Sequence, residues 1–146
     1  MNTKYKFDWF CKHTWSRSAK NTLWCLIGCS IGDFGTIYYF QITPHSLSLF
    51  LVMLIAIING IITSIILETF VLLRQKFSLM NAFKTACGMS LISMISMELA
   101  MNLTDYLIIG SAKLVWWVIP IMLLVGFLTP WPYNYWRLKK FNIACH

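Results

Sequence analysis

Four long apolar segments are the feature that most limits what this chain can fold into. They cover residues 21–42, 46–73, 82–110 and 112–136. Each has about the 20 residues or more that an α-helix needs to cross a bilayer. The connections between them are short, and 58% of the residues are hydrophobic whereas only 12% are charged. The sequence therefore predicts an all-α integral membrane protein, a bundle of four transmembrane helices. The third and fourth of these could be broken by Gly110 and by Pro120, Pro130 and Pro132.

The basic residues indicate how this bundle is oriented. Of the twelve lysines and arginines, all but Lys113 lie before the first segment, between the second and third or at the entrance of the third (Lys84), or after the fourth. Because lysine and arginine concentrate in cytoplasmic loops, both termini are expected in the cytoplasm. We therefore expect a multi-pass membrane protein with its basic loops on the cytoplasmic side. The net charge of +7 is then explained by topology and by attraction to anionic lipid, so nucleic acid is not an expected partner.

The chain divides into three parts. Residues 1–20 are basic and aromatic, and they are predicted to form an amphipathic helix on the inner leaflet; a loosely ordered basic tail is the alternative. Residues 21–136 form the transmembrane domain. Residues 137–146 form a basic cytoplasmic tail.

Four of the five acidic residues lie within the apolar segments or at their ends: Asp33, Glu68, Glu98 and Asp105. A charge at the centre of a bilayer costs about 3 kcal/mol on insertion scales. The rise of a helix places Asp33 and Glu98 at similar depths, each roughly 20 Å from a lysine at the cytoplasmic side. Glu68 is expected near the inner interface, and Asp105 near the outer end within reach of Lys113. Asp33 and Glu98 are thus the two costly carboxylates. Each could be protonated, hydrogen-bonded to Asn, Thr or the backbone, or bound to a cation.

Polar and sulfur-containing residues follow one face of the first segment and one face of the third. At 100° per residue, these faces contain Thr22, Cys25, Cys29, Gly32, Asp33 and Thr36 on the first segment and Cys87, Ser90, Met94, Met97, Glu98, Met101 and Asp105 on the third. Such faces turn towards protein or a cavity, so we expect them to line one interior seam. The second segment has no comparable face, because its Asn59 and Glu68 point to opposite sides.

The seam has the chemistry of a transition-metal site. Thiolates and thioethers suit Cu(I), and a mixture of thiolate and carboxylate suits Zn(II) or Fe(II). The predicted metal ligands are Cys25, Cys29, Asp33, Met94, Met97, Glu98, Cys145 and His146, and the other polar intramembrane residues are Asn59, Glu68, Asn102 and Asp105. Cys25 and Asp33 are roughly 12 Å apart along a helix, so one ion cannot bind both.

The ends of the chain offer a separate pair of soft ligands. Cys11 with His13 and Cys145 with His146 are both predicted to be cytoplasmic, so the two pairs could meet around one metal ion. The chance proximity of cysteine and histidine in two tails is the alternative.

Three functions are compatible with these residues. The first is binding of a transition-metal ion, copper favoured, for transport or delivery. The second is a non-catalytic accessory or assembly subunit, whose polar faces bury against a partner helix. The third is a proton-coupled carrier of a small solute, with Glu98 as the titrating group. An enzyme is not expected, because the sequence has no phosphate-binding glycine loop, no H-E-x-x-H motif and no serine elbow. A homo-oligomer is compatible with so short a chain.

The stretch WSRSAKNTLWCLIGCSIGD, together with SMELAMN, PYNYWRLKKF and the closing ACH, resembles an uncharacterised family of small bacterial four-span membrane proteins, a domain of unknown function. The resemblance covers most of the chain and implies the fold and topology, but no established activity. It marks Cys25, Cys29, Asp33, Glu98, Asn102, Asn134, Cys145 and His146 as candidate functional residues. Asp33 stands where the family is expected to have glutamate, which keeps the charge and shortens its reach.

Overall fold

The computed structural model describes residues 9–74 and 76–140, except for the side chains at positions 85, 89, 90 and 140. These residues form five α-helices: α1 Lys12–Ile42, α2 Leu49–Arg74, α3 Leu79–Ile109, α4 Ile119–Leu128 and α5 Trp131–Lys140. Within the described ranges there is no β-strand. The predicted all-helical architecture is therefore confirmed.

Local sequence signals explain where the long helices begin and end. α1 ends at Ile42 because Pro44 follows Thr43, and the residue before a proline is disfavoured in helical conformation. α3 begins after Ser78, whose side chain accepts a hydrogen bond from the Asn81 N–H. It ends at Gly110, which adopts a left-handed conformation with φ 75° that glycine tolerates without strain.

Three of the helices are long and apolar enough to cross a membrane. They are Lys12–Ile42, Leu49–Arg74 and the part of α3 from Leu91 to Ile109. Large apolar side chains cover their outward faces, such as Ile31 on α1, Ile66 on α2 and Leu103 on α3. These features indicate a membrane protein.

The predicted fourth span is interrupted. Where one helix was expected over 112–136, the structure has two helices of 10 residues, α4 and α5, separated at Thr129 and Pro130. Pro130 has no N–H to continue the α4 hydrogen-bond ladder, so the ladder stops there although Thr129 keeps helical backbone angles. α4 alone is about 15 Å long, half the thickness of a bilayer core. The described chain therefore contains three candidate spans rather than four.

The amino-terminal segment is continuous with the first span. α1 begins at Lys12, so residues 12–20 extend the first span and do not form a separate helix. The first eight residues of the predicted surface helix lie outside the described ranges.

The helices pack around α1 and α2. α2 packs against both α1 and α3, α1 also contacts α3 directly, and α4 lies on α3 and α1. α5 returns along the beginning of α1. We call the end of the bundle where α1 begins and α5 ends the terminal end, and the opposite end, with residues 43–48 and 110–118, the loop end. There, the Leu114 N–H donates to Gln41 Oε1 at 3.0 Å, which ties the second loop to α1.

Candidate functional site

The seam consists of Cys25, Cys29 and Asp33 on α1 and Glu98 and Asn102 on α3. All five side chains are buried. They are brought together because α1 and α3 touch directly along their polar faces, while their large apolar side chains point outward. The helical periodicity of the sequence therefore identified the inward faces of both helices.

One direct hydrogen bond joins the two sides of the seam. Asn102 Nδ2 donates to Asp33 Oδ1 at 3.0 Å and lies 3.1 Å from the backbone carbonyl of Glu98, one turn earlier in α3. The other side-chain oxygens, Asp33 Oδ2 and Asn102 Oδ1, are buried and have no hydrogen-bond partner among the described residues. The pair thus leaves one carboxylate oxygen and one amide oxygen available as ligands.

Glu98 is the most isolated carboxylate in the seam. It is fully buried, and neither of its oxygens has a hydrogen-bond partner within the described part of the chain. Its carboxyl group lies against the backbone of α2 at Gly60, where a side-chain carbon would collide with Glu98 Oε1. The Cys29 thiol faces this carboxyl group as a weak donor, and Asp33 and Cys25 are its electrostatic neighbours. Gly60 therefore provides the space that allows Glu98 to point inward.

The two seam cysteines lie one helical turn apart and interact with each other. The Ser64 hydroxyl of α2 donates to the Cys25 backbone oxygen at 3.2 Å and lies 3.5 Å from the Cys25 sulfur. α2 thus forms a third wall of the seam. The polar pattern of the sequence did not predict this contribution of α2. Its signal in the sequence is the four-residue spacing of the small residues Ala56, Gly60 and Ser64, which permits close helix approach.

α2 is held against α1 by further polar contacts. Asn59 Nδ2 donates to Thr36 Oγ1 at 2.9 Å, and Thr63 Oγ1 donates to the Gly28 backbone oxygen at 2.7 Å. Asn59, one of the predicted intramembrane polar residues, therefore holds α1 to α2 and does not line the seam between α1 and α3.

Methionine sulfurs extend the seam on its α3 and α4 side. Met94, Met97, Met101 and Met122 are all 0% exposed and belong to the same buried cluster as Cys25 and Cys29. Met94 and Met97 were predicted ligands, and Met101 was expected on the polar face of α3. Met122 was missed, because its segment shows no polar stripe.

Asp105 lies at the loop end of the seam. Its Oδ2 accepts a hydrogen bond of 3.2 Å from the backbone N–H of Lys113. Asp105 and Lys113 therefore make the expected contact, and they make it through the backbone N–H of Lys113. Asp105 Oδ1 is buried and has no hydrogen-bond partner among residues 9–74 and 76–140.

Glu68 and Arg137 lie at the terminal end of the seam. Arg137, on α5, is only 8% exposed. Burial lowers the pKa of its guanidinium from the ordinary value, and the negative charge of Glu68 opposes that effect. Cys25 also acts on Arg137 electrostatically. The cationic end of α5 therefore lies beside the first thiol of the seam.

α5 is fastened to α1 by an aromatic and amide clasp, formed by Trp9, Trp15, Thr22, Asn134 and Tyr135. Tyr135 stacks on Trp15 with ring centroids 4.1 Å apart and on Trp9 at 5.4 Å. Asn134 Nδ2 donates to Thr22 Oγ1 at 2.8 Å. Asn134, a candidate by resemblance, is thus part of this clasp.

A compact site of conventional metal ligands is absent from the described residues, which contain no group of three or more His, Cys, Asp or Glu side chains placed to hold an ion. Cys11 is half-buried and His13 is exposed at the start of α1. Cys145 and His146 lie outside the described ranges, so the predicted site at the chain ends stays a prediction. A metal site in the seam would have to use methionine.

The Asp33–Asn102 bond allows a test of the seam's contribution to stability. Asn102→Leu should lower the free energy of unfolding by about 1–3 kcal/mol, because the Asp33 carboxyl loses its hydrogen-bond donor in a buried site. Combining it with Asp33→Leu should cost less than the sum of the two single changes, because no unpaired partner remains. The measurement is chemical unfolding in detergent micelles. Strictly additive effects would show that the two side chains do not interact.

Comparison with known proteins places the chain in a family without assigning an activity. No curated protein and no solved structure matches it. A family model described as a domain of unknown function, DUF4396, matches residues 14–142. The match covers α1 to α5 and all five residues of the seam. The expected membership in a domain-of-unknown-function family is thereby confirmed: the chain belongs to the DUF4396 family.

Proposed function

We propose that this protein binds a transition-metal ion, copper favoured, in the seam, for transport or delivery across the membrane. The observation that carries the proposal is the burial of two neighbouring thiols, Cys25 and Cys29, beside four methionine sulfurs and next to the carboxyl groups of Asp33 and Glu98. Sulfur donors of this kind favour Cu(I), and the carboxylates offer a second site, with hard oxygen ligands, further along the seam.

The free-energy cost of burying the carboxylates of Asp33 and Glu98 supports a functional role for the seam. A buried carboxylate without a hydrogen-bonded or charged partner is expensive, and a fold keeps it where a ligand compensates that cost. Glu98 has two unpartnered oxygens and Asp33 has one within the described ranges. A cation bound between them would supply the missing charge. Cysteine and methionine alone could be explained as core packing, whereas the buried carboxyl groups need either a bound cation or a proton to remove their charge.

The proposed setting is the inner membrane of a bacterium, with both termini in the cytoplasm. α4 begins near the loop end at Ile119 and leads to α5, which packs on the beginning of α1 at the terminal end. The clasp between α5 and α1 agrees with this arrangement, because it holds both ends of the chain at the terminal end.

Metal content is the first test. The full chain, purified in detergent, should carry about one copper ion per chain after exposure to Cu(I), as measured by inductively coupled plasma mass spectrometry. Cys29→Ser and Glu98→Gln should each reduce that content severalfold. Cys87→Ser is the matched control, because Cys87 is half-buried on α3 and outside the methionine cluster. Metal well below one ion per chain, unaffected by either seam variant, would end the proposal.

A second candidate, proton-coupled uptake of a small solute, is favoured by the isolation of Glu98. In that case the seam holds no metal, and Glu98 carries the proton. Reconstituted vesicles would then show solute uptake driven by a pH gradient, which Glu98→Gln abolishes and Cys29→Ser leaves intact. A fixed partner protein that co-purifies, with neither metal nor uptake, would instead identify an accessory subunit.

A further inference from the structure

Six sulfur-containing side chains belong to one cluster of buried, contacting residues, which also contains Leu26 and Val118. We call these six the sulfur cluster: Cys25, Cys29, Met94, Met97, Met101 and Met122. They come from three helices, α1, α3 and α4, and the most exposed of them, Cys25, is only 6% exposed. The chain has eight methionines, and four of them lie here. Leucine and isoleucine, which dominate the lipid-facing surfaces, would fill the same volume.

The position of Met101 depends on a close approach of α4. A side-chain carbon at Gly126 would lie 2.6 Å from Met101 Cγ and 2.9 Å from its sulfur. Gly126 thus lets α4 approach α3 closely enough to bring Met122 beside Met101. The fourth helix therefore helps to build the cluster.

Charge balance distinguishes the ions that such a cluster could hold. Four of its six sulfurs are neutral thioethers. When a monovalent ion displaces the proton of one cysteine, the bound site is neutral, which suits a low-dielectric interior. Zn(II) on the same thiolate would leave a net positive charge, and it also prefers several thiolate or imidazole ligands. The described residues offer no third ligand of that type at the cluster.

We infer that the sulfur cluster is an all-sulfur site for Cu(I), completed by the thioethers of Met101 on α3 and Met122 on α4. This inference rests on the proposed function and narrows it to a soft monovalent ion. The oxygen pair of Asp33 and Asn102 lies outside the first coordination shell of that ion.

The test uses the full chain in detergent under anaerobic conditions, with Ag(I) as a probe that does not change oxidation state and with Cu(I) for spectroscopy. The double variant Met101→Leu, Met122→Leu should bind Ag(I) at least about tenfold more weakly than the wild type. Copper-edge X-ray absorption should show a sulfur-only shell, with fewer sulfur neighbours in the double variant. Met80→Leu is the matched control, because Met80 is exposed at the start of α3.

A second variant separates ligand loss from a general loss of structure. Gly126→Ala keeps all six sulfurs and displaces Met101, so it should also weaken Ag(I) binding. Helical circular dichroism of each variant, compared with the wild type, checks the fold.

The outcomes separate the inference from the proposed function. If no Ag(I) or Cu(I) binds stoichiometrically, both fail. If copper binds with oxygen or nitrogen in its shell, or if the double variant binds as tightly as wild type, the inference fails and the broader proposal stands. If Zn(II) competes equally with Ag(I), the selectivity argued here is also overturned.

Discussion

Gly32→Ala should lower the free energy of unfolding by about 2–3 kcal/mol, one of the two largest effects expected of a single substitution in this bundle. An alanine side chain at this position would collide with the Asn59 backbone oxygen and with Thr63 Oγ1, and would lie 2.6 Å from the Asn59 carbonyl carbon. Two of these three atoms belong to the backbone of α2, so a side-chain rotation cannot relieve the overlap. α1 and α2 would have to separate at the level of the seam.

Gly35→Ala is the matched control, three residues later on the same helix. No atom lies within 4 Å of a side-chain carbon built there. This variant should be neutral or more stable by up to about 1 kcal/mol, because alanine is the better helix former. Chemical unfolding in micelles, followed by tryptophan fluorescence, measures both variants. Equal effects at the two positions would contradict the close packing of α1 on α2.

Tyr135→Ala is the second large change, with an expected loss of about 3–4 kcal/mol in the free energy of unfolding. Tyr135 is 0% exposed and stacks on both Trp15 and Trp9. Its removal leaves a cavity in the clasp and releases α5 from α1. Limited proteolysis should then cut the chain near α5 faster than in the wild type.

Two further tyrosine variants define the source of this effect. Tyr135→Phe keeps the stacked ring and removes the hydroxyl that accepts the 3.3 Å hydrogen bond from the Cys11 N–H, so it should cost about 1.5 kcal/mol. Tyr106→Ala, at a position 48% exposed on α3, should have little effect. If Tyr106→Ala lowered the free energy of unfolding as much as Tyr135→Ala, the clasp would not stabilise the fold more than an exposed tyrosine does.

The sequence was sufficient to predict the elements with strong, uninterrupted signals. The apolar runs of α1, α2 and α3 correspond to three of the predicted spans, with boundaries set by Pro44 and Gly110. The fourth was predicted as one helix, because hydropathy remains high through Leu128 and the effect of Pro130 depends on how the chain packs afterwards. α5 carries charged residues and binds α1 through Asn134 and Tyr135, which hydropathy cannot reveal.

The seam was predicted in part for a similar physical reason. Helical periodicity identified the faces that carry Asp33 and Glu98, because polar residues stand out within an apolar run. Gly60 and Met122 are not polar, so they do not stand out within an apolar run. Gly60 contributes the space for the Glu98 side chain, and Met122 contributes a sulfur atom. Such contributions depend on the distance between helix axes, which only the folded structure reveals.

The bond between Asp33 and Asn102 joins positions 69 residues apart. During synthesis at roughly 5–20 residues per second, the ribosome adds the amide residue on the order of ten seconds after the acid. Throughout that interval the nascent first helix carries an uncompensated acid into the lipid, at a cost of about 3 kcal/mol. A chain truncated before α3 should therefore insert α1 less efficiently than the full chain, because Asp33 then has no amide partner.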